Sequence, residues 1–304
     1  TAKKLVITDG NAKVYPEIER RNGIKFVNYR SEEGKYYAYL IGVNGFSAEY
    51  KLAENEADPV VKAFSCYQSS KKDILYLMYK IQDPVSLKWD LYNASTGEFY
   101  PYQMDKISSI GGRAVILEKD GMQGLAAPDG KLLYEPAYES ISYYFTTDKG
   151  IDVFLGDKKV AGEYSSHTEH AVLTSNGSTD GNILYYEVRK PDGSTILPVG
   201  QEDSDGHTKY GFLSLDSGEL SELKYDEILC NGKYFLGEYK VNGWMGDTKC
   251  DVVSDDGIWD INSKFGGTFG SAAFLDGFIS IGVGDRNSDN SYVSIFSGII
   301  DVKG

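Results

Sequence analysis

Three segments of this chain share one internal spacing, and that spacing limits the folds open to it more than any other feature. Trp89 to Ile107, Gln123 to Ile141 and Tyr210 to Ile228 are each eighteen residues apart. A turn glycine falls seven or eight residues in, at Gly97, Gly130 and Gly218. Each segment closes on an aromatic or thioether residue, an acid, a polar residue and Ile: Met104-Asp105-Lys106-Ile107, Tyr138-Glu139-Ser140-Ile141 and Tyr225-Asp226-Glu227-Ile228. Self-similarity at a fixed period is the signature of a repeat architecture.

The middle copy shows what one repeat is made of. Gly124-Leu125-Ala126-Ala127 is a short apolar run, and Asp129-Gly130 supplies the positive φ angles of a tight hairpin. Leu132-Leu133-Tyr134 reads as a second strand that Glu135-Pro136 should end, because proline cannot donate to a ladder. Ile151 to Leu155 reads as a further strand before a turn at Gly156-Asp157. Three or four short strands in roughly forty residues result. Fainter copies run from Leu5-Val6-Ile7 through Asp9-Gly10 to Pro16, and from Ile183 through Pro191-Asp192-Gly193 to Pro198. Asp255-Asp256-Gly257 and Ser297-Gly298 read as turns between short apolar runs. At this pitch the chain fits about seven units. The long gaps from Gly45 to Gly97 and from Gly130 to Gly193 imply insertions or irregular units.

This pattern resembles the WG, or Lys-Trp-Gly, repeat family of bacterial proteins. That repeat runs aromatic-Gly, a strand, Asp-x-x-Gly-Lys, a strand ending near Pro, then Tyr-Asp-x-Ile. Gln123-Gly124 through Ile141 and Tyr210-Gly211 through Ile228 match best, and Lys88-Trp89-Asp90 keeps the Trp while losing the Gly. No copy holds an intact Trp-Gly in register, which makes this a diverged relative. The resemblance implies an extracytoplasmic or cell-surface setting and structural motif residues. It brings no catalytic residue across.

Composition agrees with an all-β chain. Aromatics make up 13%, with 24 Tyr, and such rings suit the half-buried surface of a pleated sheet. Asp58 to Phe64 is the best helix candidate, and it is short and β-branched. A net charge of −14 argues against nucleic acid, whose phosphates require clustered Lys and Arg. No run approaches the eighteen apolar residues of a membrane helix. Thr1 stands where an initiator Met would, so the chain reads as mature or trimmed, with any targeting segment out of view. Cys230 and Cys250 have a spacing that would allow a bridge and leave Cys66 over; the alternative is three small buried thiols.

Each chemical constellation competes with a plainer reading. His167-Thr168-Glu169-His170 offers metal-ligand types, but on a strand His167 and Glu169 face one side and His170 the other, and a polar surface loop is the plainer reading. Asp285, Asn287 and Asp289 alternate as calcium ligands do, yet Asn290 and Phe296 stand where that loop needs Gly and Glu. Glu202 to Gly206 is comparable. Gly-x-Ser-x-Gly elbows and phosphate-cradling loops are missing, and Gly266 to Gly270 reads as a bend or bulge.

The expected architecture is a single all-β repeat domain over 1–304, a β-propeller of about seven irregular units, because a ring leaves only short, protected edges. An open stack, or two β-rich modules of antiparallel hairpins, is the alternative, with a joint near 163–181. The expected function is non-enzymatic: a binding or scaffold protein at the bacterial surface or outside the cell, with a protein or glycan ligand and no cofactor. A propeller-type glycoside hydrolase with acids in a central pocket is the alternative. Insertions held by a rigid frame are where binding residues are expected, with Tyr164 and His167 the residues least explained by packing.

Overall fold

The computed structural model describes strand placement alone for 7–9, 12–14, 17–21, 24–30, 36–42, 45–46, 60–61 and 300. Side chains are described for 62–68, 74–83, 86–161, 166–241, 247–275, 278–287, 291–299 and 301. Among these residues the chain is all-β, with one five-residue helix, Ile261–Phe265. Of the helix candidate Asp58 to Phe64, the described part from Val60 opens the strand Val60–Gln68 instead.

After a two-stranded hairpin, Ile7–Asp9 with Ala12–Val14, seven antiparallel sheets follow in chain order. They span 17–46, 60–104, 106–138, 140–185, 187–214, 227–260 and 269–301, and are termed the first to seventh sheets. Five have four strands; the fifth and seventh have three. Every strand pairs with its sequence neighbours, so each sheet is a simple meander. The gap from Gly45 to Gly97 holds the first three strands of the second sheet, and that from Gly130 to Gly193 the whole fourth sheet. Two compact units result, Thr1–Ile141 and Ser142–Gly304.

Apolar residues at alternate strand positions meet between successive sheets. In the first unit Met78, Leu91, Ile107, Val115 and Leu117 form the core between the second and third sheets. In the second unit Phe145, Val153, Val172, Leu197 and Leu213 join the fourth and fifth. Phe212, Tyr225, Ile228, Phe235 and Val253 join the fifth and sixth. Ile279, Ile281 and Val283 of the seventh sheet pack against Leu236, Val252 and Ile261.

The eighteen-residue spacing now has a structural cause. In all three copies the opening residue pairs with the residue fifteen later: Trp89 with Met104, Gln123 with Tyr138, Tyr210 with Tyr225. The acid comes next, where the chain leaves one sheet. The Ile is then the second residue of the next sheet's first strand, in Lys106–Ile110, Ser140–Thr146 and Glu227–Asn231. Ile107, Ile141 and Ile228 are 0%, 8% and 1% exposed, so all three are core positions. The acids fasten the crossing. Asp105 pairs with Lys88 and accepts the Asp120 N–H at 2.7 Å. Asp226 likewise pairs with Lys209 and accepts the Lys240 N–H at 2.9 Å.

The turn glycines have positive φ of 81°, 101° and 77°. Gly97 and Gly218 donate to the carbonyl four residues back, Asn93 and Ser214, while Gly130 donates to Ala127, three back. That shorter middle turn is made up by an extra register shift between Leu125 and Ala126.

Several local expectations are corrected. Pro136 does not end its strand: Leu132–Tyr138 continues through it, because the proline lies at an irregularity on an edge strand, where no ladder donor is required. Gly156-Asp157 is not a turn but lies inside the strand Asp152–Ala161, with Gly156 paired to Ala171. Ser297-Gly298 lies inside Tyr292–Asp301, paired with Gly282 and Ile281. Asp255-Asp256 does form a hairpin turn, closed by Ser254 opposite Gly257. All three cysteines are free, and Cys230 is exposed rather than buried, because it stands at the end of an edge strand.

Candidate functional site

Tyr164 and Asp289 lie outside the described residues. The polar run containing His167 is a strand, Ser166–Thr174, and not a surface loop, since Ala171-Val172-Leu173 at its end anchors it in the core. On it His167 Nε2 bonds Glu169 Oε1 at 3.0 Å and meets the Tyr186 ring edge-on. His170 Nδ1 bonds Asp157 Oδ1 at 2.8 Å, so the two imidazoles have separate partners. Asp285 Oδ1 accepts the Thr268 N–H at 2.8 Å, and the Asn287 side chain reaches Ser291 across a hairpin end. Asp203, Asp205 and His207 bring ligand atoms within 4.8 Å of one another. All three are exposed, and Asp203 Oδ1 already accepts the N–H groups of Asp205 and His207, which closes the turn.

A shallow, largely apolar depression lies in the second unit, between the fifth and sixth sheets. It is a groove of about 470 Å³, within the size range of ligand sites. Ile196, Phe212 and Val253 form its floor, the upper surface of the core between those sheets. Leu220 and Ile258 form its apolar sides. Ser214, Ser221, Ser254 and Glu219 add polar groups. The serine hydroxyls serve the backbone: Ser221 Oγ accepts the Phe212 N–H at 2.8 Å, and Ser254 Oγ accepts that of Asp256 at 3.2 Å. Glu219 is the one ionisable side chain in the lining.

Turns brace the walls. Asp255 Oδ1 accepts Ser194 Oγ at 2.7 Å, Thr195 N at 2.9 Å and Thr195 Oγ1 at 3.0 Å, tying the sixth sheet to the fifth. Burial pushes the Asp255 carboxyl up, but these three bonds outweigh it and hold it below the usual carboxylate range. Lys149 pairs with Asp216, and Lys233 with Asp148 at 2.5 Å, so turns of the fourth, fifth and sixth sheets are laced together. Below the floor the fully buried Asp251 accepts from Lys224 Nζ at 2.7 Å and Tyr225 Oη at 2.8 Å. Burial, then the Asp251 charge, keeps the Tyr225 hydroxyl far above its usual pKa and protonated.

Such a site offers an apolar slot with a carboxylate at its lip. Each lining serine accepts a backbone N–H through its hydroxyl oxygen, and no His is in the lining. Sequence reasoning missed it. Its lining comes from 196, 212–221 and 253–258, segments that read as ordinary strands and turns until two sheets are placed side by side.

No family model matches the chain, and no curated protein matches it. Among solved structures it is similar to TolB from Acinetobacter baumannii at 13% identity and a TM-score of 0.22, over 77% of this chain and 61% of that one. A puromycin hydrolase aligns at 10% identity and 0.23, over 94% of this chain and 54% of that one. A chain of the Mitotic Checkpoint Complex aligns at 9% and 0.24, over 92% and 86%. The chain thus spans little more than half the length of the first two. Scores at this level define no shared fold, and the class rests on the sheets themselves: an all-β repeat protein of small antiparallel meanders.

Proposed function

We propose that this chain is a non-enzymatic binding or scaffold protein acting at the bacterial surface or outside the cell, its sheets arranged as the blades of an irregular β-propeller. One observation carries the binding reading: a ligand-sized, largely apolar groove whose walls are fixed by laced turns and whose serine hydroxyls brace backbone N–H groups. Rigid frames that present loops and grooves suit recognition. Seven consecutive meanders, with shared cores between the second and third and from the fourth through to the seventh, support the propeller, and the resemblance to the WG repeat family supports the location.

The experiment is a paired screen of the intact protein. Calorimetry against glycans and peptides should find a saturable ligand, while glycoside and peptide substrates should be recovered unchanged. Turnover abolished by replacing a single acid would place the protein in the hydrolase class instead.

A further inference from the structure

We infer that the groove between the fifth and sixth sheets takes an extended cationic peptide segment, with an apolar side chain in the slot and Lys or Arg against its lip. The inference rests on the binding reading above and names its ligand class. Three features select this occupant. The first is apolar: the Phe212 and Val253 floor is buried, but Ile258 on the wall is 51% exposed, which leaves apolar surface for a ligand to cover.

The second feature is charge. Three acids elsewhere in these two sheets are neutralised by lysines: Asp216 by Lys149, Asp226 by Lys209 and Asp251 by Lys224. Glu219 in the lining, and Glu222 and Asp256 immediately beside lining residues, are exposed. No cation pairs with any of these three among the described residues. In a chain of net charge −14, an unneutralised carboxylate lip favours a cationic partner and repels an acidic one.

The third feature is backbone. Gly257–Asp260 is the outermost strand of the sixth sheet, so one side of it has no strand partner. An extended peptide can add there through main-chain hydrogen bonds while alternate side chains enter the groove.

The test uses a fluorescein-labelled seven-residue peptide alternating Lys with Leu, read by fluorescence polarisation on the intact protein. Two controls replace every Lys by Glu or every Leu by Ser. Saturable binding is expected for the first peptide, at least tenfold weaker for each control. Ile258→Asp and Glu219→Lys should each weaken it at least tenfold, and Glu202→Lys, at the far end of the strand that begins with Ile196, less than twofold. Both test positions are surface-exposed, and unchanged circular dichroism and melting would show that the variants fold. Equal binding of the Glu peptide, or wild-type binding by both groove variants, would overturn the inference. A self-associated protein that Ile258→Asp converts to monomer would also overturn it, since a second copy would then be the occupant. If a glycan binds and the Lys-Leu peptide does not, this inference fails while the binding reading stands. Cleavage of the peptide would defeat the non-enzymatic reading, with the groove assignment still judged by Ile258→Asp.

Discussion

Gly124 and Gly211 show why the second position of the repeat is glycine. In each copy the outer segment carries two extra residues opposite the second position, and that bulge presses on it. A Cβ on Gly124 would lie 2.6 Å from Pro136 N and 2.7 Å from Tyr134 O, both backbone atoms. On Gly211 the nearest atoms are 3.0 to 3.2 Å away, and the first belongs to the Leu223 side chain. Gly124→Ala should therefore cost about 3 kcal/mol and Gly211→Ala about 1 kcal/mol, read from urea denaturation; equal costs would refute the close-approach account. Thiol reactivity is a second residue-scale outcome. Burial pushes Cys66 up to about 11 and Cys250 up to about 12; partial desolvation raises Cys230 too, but its side chain is exposed and open to reagent. Ellman's reagent at pH 8 should count one accessible thiol in the native protein and three after unfolding. Glu187 supplies a pH dependence. The bond from Arg189 holds it below the usual carboxylate range, against the burial that raises it, and Tyr210 adds a further bond. A depressed folded pKa stabilises above the unfolded value of about 4.3 and is lost as pH falls through the folded one. Glu187→Gln should accordingly flatten the acid limb of a stability-versus-pH curve and leave its neutral region sloping as before.

At the scale of the element, each repeat straddles two sheets. It begins in the last hairpin of one meander and ends on the first strand of the next, which explains why its most regular acid marks a crossing rather than a site. The first copy solves the bulge differently from the others. Asp90 stands where the glycine belongs, nearly buried, and accepts the Gln103 N–H at 2.9 Å together with the Gln103 side-chain amide. Gln103 itself has a φ of 54°, a conformation unfavourable to most side chains. Asp90→Ala removes these acceptors and should destabilise by about 2 kcal/mol, measurable as a shift in the urea midpoint without a change in slope. The sequence made this departure visible as a lost glycine. Its remedy could not be read there, since it depends on Gln103 being brought opposite by a two-residue slip.

At the scale of the whole molecule, the proposed propeller has a direct test. A compact chain of 304 residues should have a radius of gyration of about 19 Å, and small-angle scattering near that value would agree with a ring. A markedly larger radius with an elongated distance distribution would favour the open stack. Folding is expected to need no metal, because the repeat is built from turns, ion pairs and packing. Treatment with a chelator should then shift the melting temperature by no more than about 2 °C; a larger fall would implicate the Asp203 or Asp285 turns.

The strand-and-turn grammar of this protein belongs to its sequence. Positive φ at Gly97, Gly130 and Gly218, the buried Ile that closes each copy and the all-β class follow from short-range rules of turn chemistry and alternation. Those rules operate over a few residues, and so does their reach. Whether Pro136 ends a strand or sits in a bulge depends on the neighbouring strand, and so does whether Gly156-Asp157 turns or continues. The groove depended on more distant partners still: Ile196, Phe212, Glu219 and Ile258 acquire a common purpose only when two meanders pack face to face and Asp255 ties one to the other. Tertiary structure alone decided that, because apolar burial specifies that strands must be covered and leaves open which sheet covers them.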